Sequence, residues 1–143
     1  MITIHGKIDI PSTVVENANS IRFENYKTNT PAKFQIRDET DMILMLDLSN
    51  HLGIARNKLD FVYFSVCKGA EPHVDLLDPN VFEPRTFVIP VILPTGNSVI
   101  VAQDDRQVVE LNTIYEFNHE ELHSMELEDT DSGCVVIMVA VKK

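Results

Sequence analysis

The sequence has no tryptophan, five glycines in 143 residues and two cysteines, Cys67 and Cys134. The cysteines form no C-x-x-C pair and two cannot build a disulfide framework, which excludes a disulfide-stapled fold. Each sits in an apolar, strand-like run, where a reduced and buried thiol is expected. No apolar run approaches the roughly 18 to 20 residues that cross a bilayer. The opening MITIHGKIDIPSTVVEN also lacks a basic segment followed by an unbroken apolar stretch. A cytoplasmic location without membrane contact is therefore expected. Basic residues are scarce as well: 12 Lys plus Arg face 22 acids, for a net charge of −10. A field of that sign repels phosphate backbones and anionic lipid heads, so duplex nucleic acid is not an expected partner.

What remains is enough for one core. A chain of 143 residues, 44% of them hydrophobic, fits one domain over 1–143, and no repeat, low-complexity tract or Gly/Ser linker divides it. Residues 1–56 look mixed, with a strand expected near Ile2 to Ile10, another near Ile21 to Tyr26, and a helix from about Asp41 to Leu52. Asp38 or Thr40 offers that helix an N-cap, Gly53 a stop, and Met42, Met45 and Leu52 an apolar side. This part is expected to buttress the rest.

From residue 57 the pattern changes to short runs rich in Val, Ile, Phe and Tyr, each closed by Gly, Pro, Asn or Asp. They are Lys58 to Cys67, Pro72 to Leu76, Arg85 to Leu93, Ser98 to Ala102, Gln107 to Leu111, Ile114 to Asn118, Leu122 to Glu128 and Cys134 to Val141. Their connections are too short for crossover helices, so antiparallel pairing is expected. Eight such strands close as an up-and-down barrel, a sandwich or a jelly roll, and strand count does not choose among them. Pro94-Thr95-Gly96-Asn97 reads as a hairpin turn.

Two histidine patterns carry chemistry. In His73-Val74-Asp75, strand alternation would put an imidazole and a carboxylate on one face. Taken alone the triplet is weak, since chance supplies roughly 0.4 of them in such a composition. About fifty residues later His123, Met125 and Leu127 share the apolar face of a strand. Two imidazoles and one carboxylate on one octahedral face, with the other face open, suit non-haem Fe(II). The second pattern, His119-Glu120-Glu121-Leu122-His123, matches the H-E-x-x-H zinc signature. That motif works only on a helix, and strand-like flanks with Asn118 as a turn speak against one here. His119, Glu120 and Glu121 then read as turn residues. The acidic stretch from Glu126 to Asp131 reads as a solvated turn, because it lacks the Gly and terminal Glu of a calcium loop. His5 and His51 have no ligand-like neighbours and read as structural or surface residues.

Four segments, Pro72 to Asp75, Arg85 to Ile92, Tyr115 to Asn118 and Leu122 to Met125, resemble the Fe(II)/2-oxoglutarate-dependent oxygenases. The likeness spans about residues 58 to 141 and is nearest the small aspartyl/asparaginyl and prolyl hydroxylase-like branches, including phage-encoded members. It implies a mainly β double-stranded β-helix (jelly-roll, cupin-like) over 57–143, behind the short α/β buttress of 1–56. It implies His73, Asp75 and His123 as iron ligands, Fe(II) and 2-oxoglutarate as cofactors, and no catalytic residue beyond the ligands. The reaction implied couples oxidative decarboxylation of 2-oxoglutarate to hydroxylation of a C–H bond in a peptide side chain, amino acid or small metabolite. The family usually sets a basic residue about ten positions after the distal histidine, where this chain has Gly133 and Cys134. Arg85 is expected to take over the far carboxylate of 2-oxoglutarate, with Lys142 as second candidate. The alternatives are a non-catalytic cupin-like metal-binding module and an H-E-x-x-H zinc hydrolase with a helix at 117 to 125.

Overall fold

Hydrogen-bonded strand order shows how the chain folds back on itself. The computed structural model describes residues 1–25, 32–35, 39–129 and 133–143. The elements are β1 (Thr3–Lys7), α1 (Ser12–Asn25), β2 (Ala32–Gln35), α2 (Glu39–Leu52), a 3-10 turn (Arg56–Lys58), β3 (Leu59–Cys67), β4 (Ala70–His73), β5 (Phe82–Ile92), β6 (Ser98–Ala102), β7 (Asp105–Val108), β8 (Thr113–Phe117), β9 (His123–Leu127) and β10 (Cys134–Lys142). They form a six-stranded sheet, β1-β8-β5-β10-β3-β2, and a four-stranded sheet, β4-β9-β6-β7. Every pairing is antiparallel. From β3 onward the chain steps repeatedly from one sheet to the other, which is the double-stranded β-helix.

Two apolar layers hold this together. Between the sheets lie Val88, Ile100, Ala102, Tyr115, Phe117, Cys134 and Val136. On the far side of the larger sheet, Phe87, Ile89, Val91, Ile114, Ile137 and Val139 meet Val14 and Ala18 of α1 and Leu44 and Leu48 of α2. Alternation along β5, β8 and β10 assigns successive residues to opposite layers. Leu44 and Leu48 are fully buried, and each such side chain stabilises the docked helix by about 1.5–3 kcal/mol.

The buttress departs from expectation in several places. Residues 21–25 continue α1 and are not a strand, and residue 26 lies outside the described residues, as does the proposed cap Asp38. Thr40 lies inside α2, which begins at Glu39. The inward side of α2 is Leu44 and Leu48, with Met45 and Leu52 beside them, whereas Met42 is exposed. Gly53 does stop the helix: its φ is +66°, and its N–H donates to the Ser49 carbonyl at 2.9 Å. The left-handed backbone there favours glycine. The 94–97 turn is not a hairpin, since it carries the chain from β5 in one sheet to β6 in the other. Cys134 is buried, while the side chain of Cys67 lies outside the described part. Among the described residues no helix is long and apolar enough to cross a membrane.

Candidate metal centre

β4 forms one edge of the four-stranded sheet, beside β9. Gly69 delivers the chain to it through a backbone with φ +115°, and a Cβ there would come within 3.2 Å of the Met125 carbonyl oxygen. The register then sets His73 directly opposite His123. Directly opposed residues on one face are near neighbours, and the two imidazole centroids are 4.4 Å apart. Phe117, at the end of β8, packs its ring 4.5 Å from that of His123.

Asp75 completes the group by a different route from simple alternation. The strand ends at His73, and Asp75 is aimed by its own N–H, which donates to the His119 carbonyl at 3.0 Å. Its carboxylate lies 3.5 Å from His73 Nε2 and 3.3 Å from His123 Nε2. One ligand atom from each of the three residues falls within 4.8 Å of the others, so the group could hold a metal ion.

The ring orientations fit a cation. His73 Nδ1 lies 2.6 Å from the Glu71 carbonyl, and His123 Nδ1 lies 2.8 Å from the Glu121 carbonyl. A carbonyl only accepts, so each Nδ1 carries a proton and donates it, which leaves Nε2 with a lone pair in the neutral ring. Metal-binding histidines are usually held this way. His123 is 6% exposed, and with its proton on Nδ1 its Nε2 has no hydrogen-bond donor to meet, the carboxylate oxygen of Asp75 at 3.3 Å being an acceptor as well. An orphaned buried acceptor costs about 1–3 kcal/mol, and a cation would remove that cost. Burial pushes the Asp75 carboxyl up, but contact with His123 and the nearby His73 and His119 outweigh it and hold it below the ordinary aspartate value. Two neutral imidazoles and one anionic carboxylate fit the donor set of a non-haem Fe(II) centre.

His119 lies in the 118–122 turn, as its sequence suggests, but it also joins this neighbourhood as a buried side chain. It is 2% exposed, and its Nδ1 lies 2.8 Å from the Thr86 hydroxyl. Burial drives its pKa below the ordinary histidine value, against a smaller upward pull from Asp75 and Glu120. The sequence did hold a signal: Tyr115, Phe117 and His119 share one parity, and the first two line the layer between the sheets.

The structure does not bring Arg85 to this group. Its Nε lies 2.9 Å and its Nη2 3.2 Å from the Glu116 carboxylate, and its guanidinium sits over Phe87. Glu116 and Phe87 belong to the helix-facing side of the larger sheet, opposite the side on which Thr86 meets His119. His5 shares the Glu116 carboxylate at 2.7 Å, and His51 Nε2 lies 2.6 Å from the His5 carbonyl. Lys142 is on the other side. Val141 belongs to the helix-facing core, so Lys142 projects opposite to it, and its Nζ is 3.4 Å from Asp60, the register neighbour of Ala140. The helix required by the zinc alternative is absent: residues 113–117 and 123–127 are strands, and 118–122 form a turn. His119 is not in the group of three ligand residues.

No protein-family model matches the sequence, and no curated protein does either. Solved structures do. A prolyl hydroxylase from Trichoplax adhaerens, in complex with a hypoxia inducible factor oxygen degradation domain peptide fragment, aligns over 99% of this chain and 83% of its own at TM-score 0.58 and 10% identity. A Pseudomonas putida prolyl-4-hydroxylase aligns over 100% of this chain and 92% of its own, at TM-score 0.55 and 12% identity. The Escherichia coli ribosomal oxygenase YcfD aligns over 100% of this chain but 47% of its own, at TM-score 0.52 and 12% identity. The chain shares its fold with these oxygenases.

Proposed function

We propose that this chain is an Fe(II)- and 2-oxoglutarate-dependent oxygenase that hydroxylates a substrate C–H bond, with His73, Asp75 and His123 as the iron ligands. The observation that carries this reading is the meeting of three acceptor atoms, two of them on imidazoles whose outer nitrogens are tied to carbonyls. The fold shared with solved oxygenases supports it. Bound iron with 2-oxoglutarate would supply oxygen activation coupled to decarboxylation to succinate. The chain's own part is to present neutral imidazoles, to keep Asp75 anionic, and to shield one side of the centre with Phe117.

For the far carboxylate of 2-oxoglutarate we favour Lys142 over Arg85: both meet a carboxylate, Asp60 and Glu116 respectively, but Arg85 stands on the helix-facing side of the sheet and Lys142 on the other. A peptide side chain is the substrate class we favour over a free amino acid or small metabolite. His73 and Asp75 are partly exposed, and so are their chain neighbours Glu71, Val74, Leu76 and Asp78, as well as Glu120 and Leu122 next to His119 and His123. Such a rim suits a chain segment of basic or neutral character. The Trichoplax hydroxylase was solved with a peptide. Within this reading, residues 1–143 act as one cytoplasmic unit, with 1–56 as buttress and 57–143 as the catalytic core.

Gly133 and Cys134, in place of a late basic residue, favour one rival. It is a cupin-like module that holds metal and turns nothing over. Anaerobic addition of Fe(II) and 2-oxoglutarate separates the two. A weak visible metal-to-ligand charge-transfer band is expected in the parent and should vanish in His73→Ala and Asp75→Ala. Absence of the band from a metal-loaded parent would refute the oxygenase reading.

A further inference from the structure

The turn between β8 and β9 supports both arms of the candidate centre at once. The His119 carbonyl accepts the N–H of Asp75, and the Glu121 carbonyl accepts the Nδ1 proton of His123. Asn118 shapes the turn, its side-chain oxygen accepting the Glu120 N–H at 2.9 Å and its carbonyl the Glu121 N–H at 3.1 Å. Two of the three triad residues are therefore aimed by atoms two residues apart in one short segment. That segment is fastened to the larger sheet through the 2.8 Å contact between His119 Nδ1 and the Thr86 hydroxyl, with Thr86 4% and His119 2% exposed. Thr86 sits in the middle of the β8-β5-β10 ladder, paired with Phe117 on one side and Ala140 on the other. It is thus a rigid anchor.

We propose that Thr86 and His119 are positioning residues: their hydrogen bond fixes the 118–122 turn so that Asp75 and His123 meet a metal at one distance from His73. The proposal rests on the metal-centre reading given above. A contact that only added stability would act on the fold as a whole. This one lies a single backbone bond from Asp75, so its loss should loosen the centre more than it loosens the fold. Outer groups that orient metal ligands commonly change metal affinity 10- to 100-fold when removed.

The test is Co(II) binding to the full chain, followed by its visible absorption, with thermal melting of the metal-free protein as the measure of folding. Thr86→Val removes the hydroxyl at constant shape. It is expected to weaken Co(II) binding about 10- to 100-fold and to alter the ligand-field bands, while Thr86→Ser keeps parental affinity and bands. Thr113→Val is the control, since Thr113 is also buried and its hydroxyl donates to the Leu111 carbonyl. It should lower the melting temperature and leave Co(II) binding unchanged. A folded Thr86→Val with parental affinity and spectrum overturns the positioning role and leaves the metal centre standing. Failure of the parent to bind Co(II) overturns both. If Thr86→Val does not fold, His119→Gln takes its place, with weakened binding expected and unchanged binding decisive against the idea.

Discussion

Two clusters of titratable side chains stand on opposite sides of the same pair of strands, β5 and β8, and they are built on opposite rules. On the helix-facing side, Arg85 gives two hydrogen bonds to Glu116 and lies 3.5 Å from Glu83, and His5 Nε2 shares Oε1 of the Glu116 carboxylate with Arg85. Donors meet acceptors there, and positive charge meets negative. In the other cluster, His73, Asp75 and His123 turn acceptor atoms toward one another, and the buried Nε2 of His123 has nothing to accept from. A saturated cluster is complete as protein, whereas a cluster of acceptors suits a cation. The richer display of charge is the one that needs no ligand.

The comparison can be broken first through metal itself. Mn(II) at one hundred times its dissociation constant should stabilise the parent by about 2.7 kcal/mol, read as a rise in melting temperature. His73→Ala and Asp75→Ala should lose that whole gain and Arg85→Ala should keep it. An equal loss in Arg85→Ala would erase the distinction between the clusters. Next comes the cosubstrate. Removing a hydrogen bond to a charged group costs about 1.5–3 kcal/mol, so Lys142→Ala should raise the half-saturating 2-oxoglutarate concentration roughly 10- to 150-fold. Arg85→Ala should leave it within about twofold, and the reverse ranking would restore Arg85 as the anchor.

The smallest effect belongs to Glu116→Gln, which keeps the shape but gives up charge-assisted bonds and should cost about 1 kcal/mol in urea unfolding. Its pH dependence sharpens the point. Burial raises the Glu116 carboxyl, yet the hydrogen bonds from Arg85 and His5 outweigh this and hold it below the ordinary value of 4.5. A depressed carboxyl stabilises the fold at pH values above 4.5, and that contribution fades as the pH drops through the lower folded value. The parent should therefore lose its advantage over Glu116→Gln below pH 4.5. A constant gap between the two proteins down to acid unfolding would contradict the assignment.

The β core was legible because its strands are short, apolar and cleanly punctuated. Ser98 to Ala102 is a strand with the bounds its sequence suggests, and the others shift by a few residues. The run Gln107 to Leu111, for instance, is a strand over Asp105–Val108. The buttress was less legible for a physical reason. The segment forming α1, STVVENANSIRFEN, is rich in β-branched residues and asparagine, which are weak helix formers. Its helix is held by packing of Val14 and Ala18 on the sheet, a tertiary effect that local propensity does not carry.

The meeting of His73 with His123 could be anticipated from an imidazole on an apolar strand face, although Asp75 reaches the group from beyond the strand end. The side on which Arg85 emerges could not. Residues 86–92 are buried on both faces of the sheet, so no polar alternation betrays which way each one points. His119 was hidden by its neighbours Asn118 and Glu120, whose turn chemistry masked a continuing inward parity.

The direct opposition of His73 and His123 also bears on the order of assembly. Fifty residues separate them, and closing a loop of that length costs about 3.5 kcal/mol of chain entropy beyond a constant. Nearer pairings exist between β6 and β7 and between β5 and β8, so the His73–His123 pairing is expected to follow them in folding. On that order the acceptor cluster would take its geometry from a scaffold that the nearer pairings raise first.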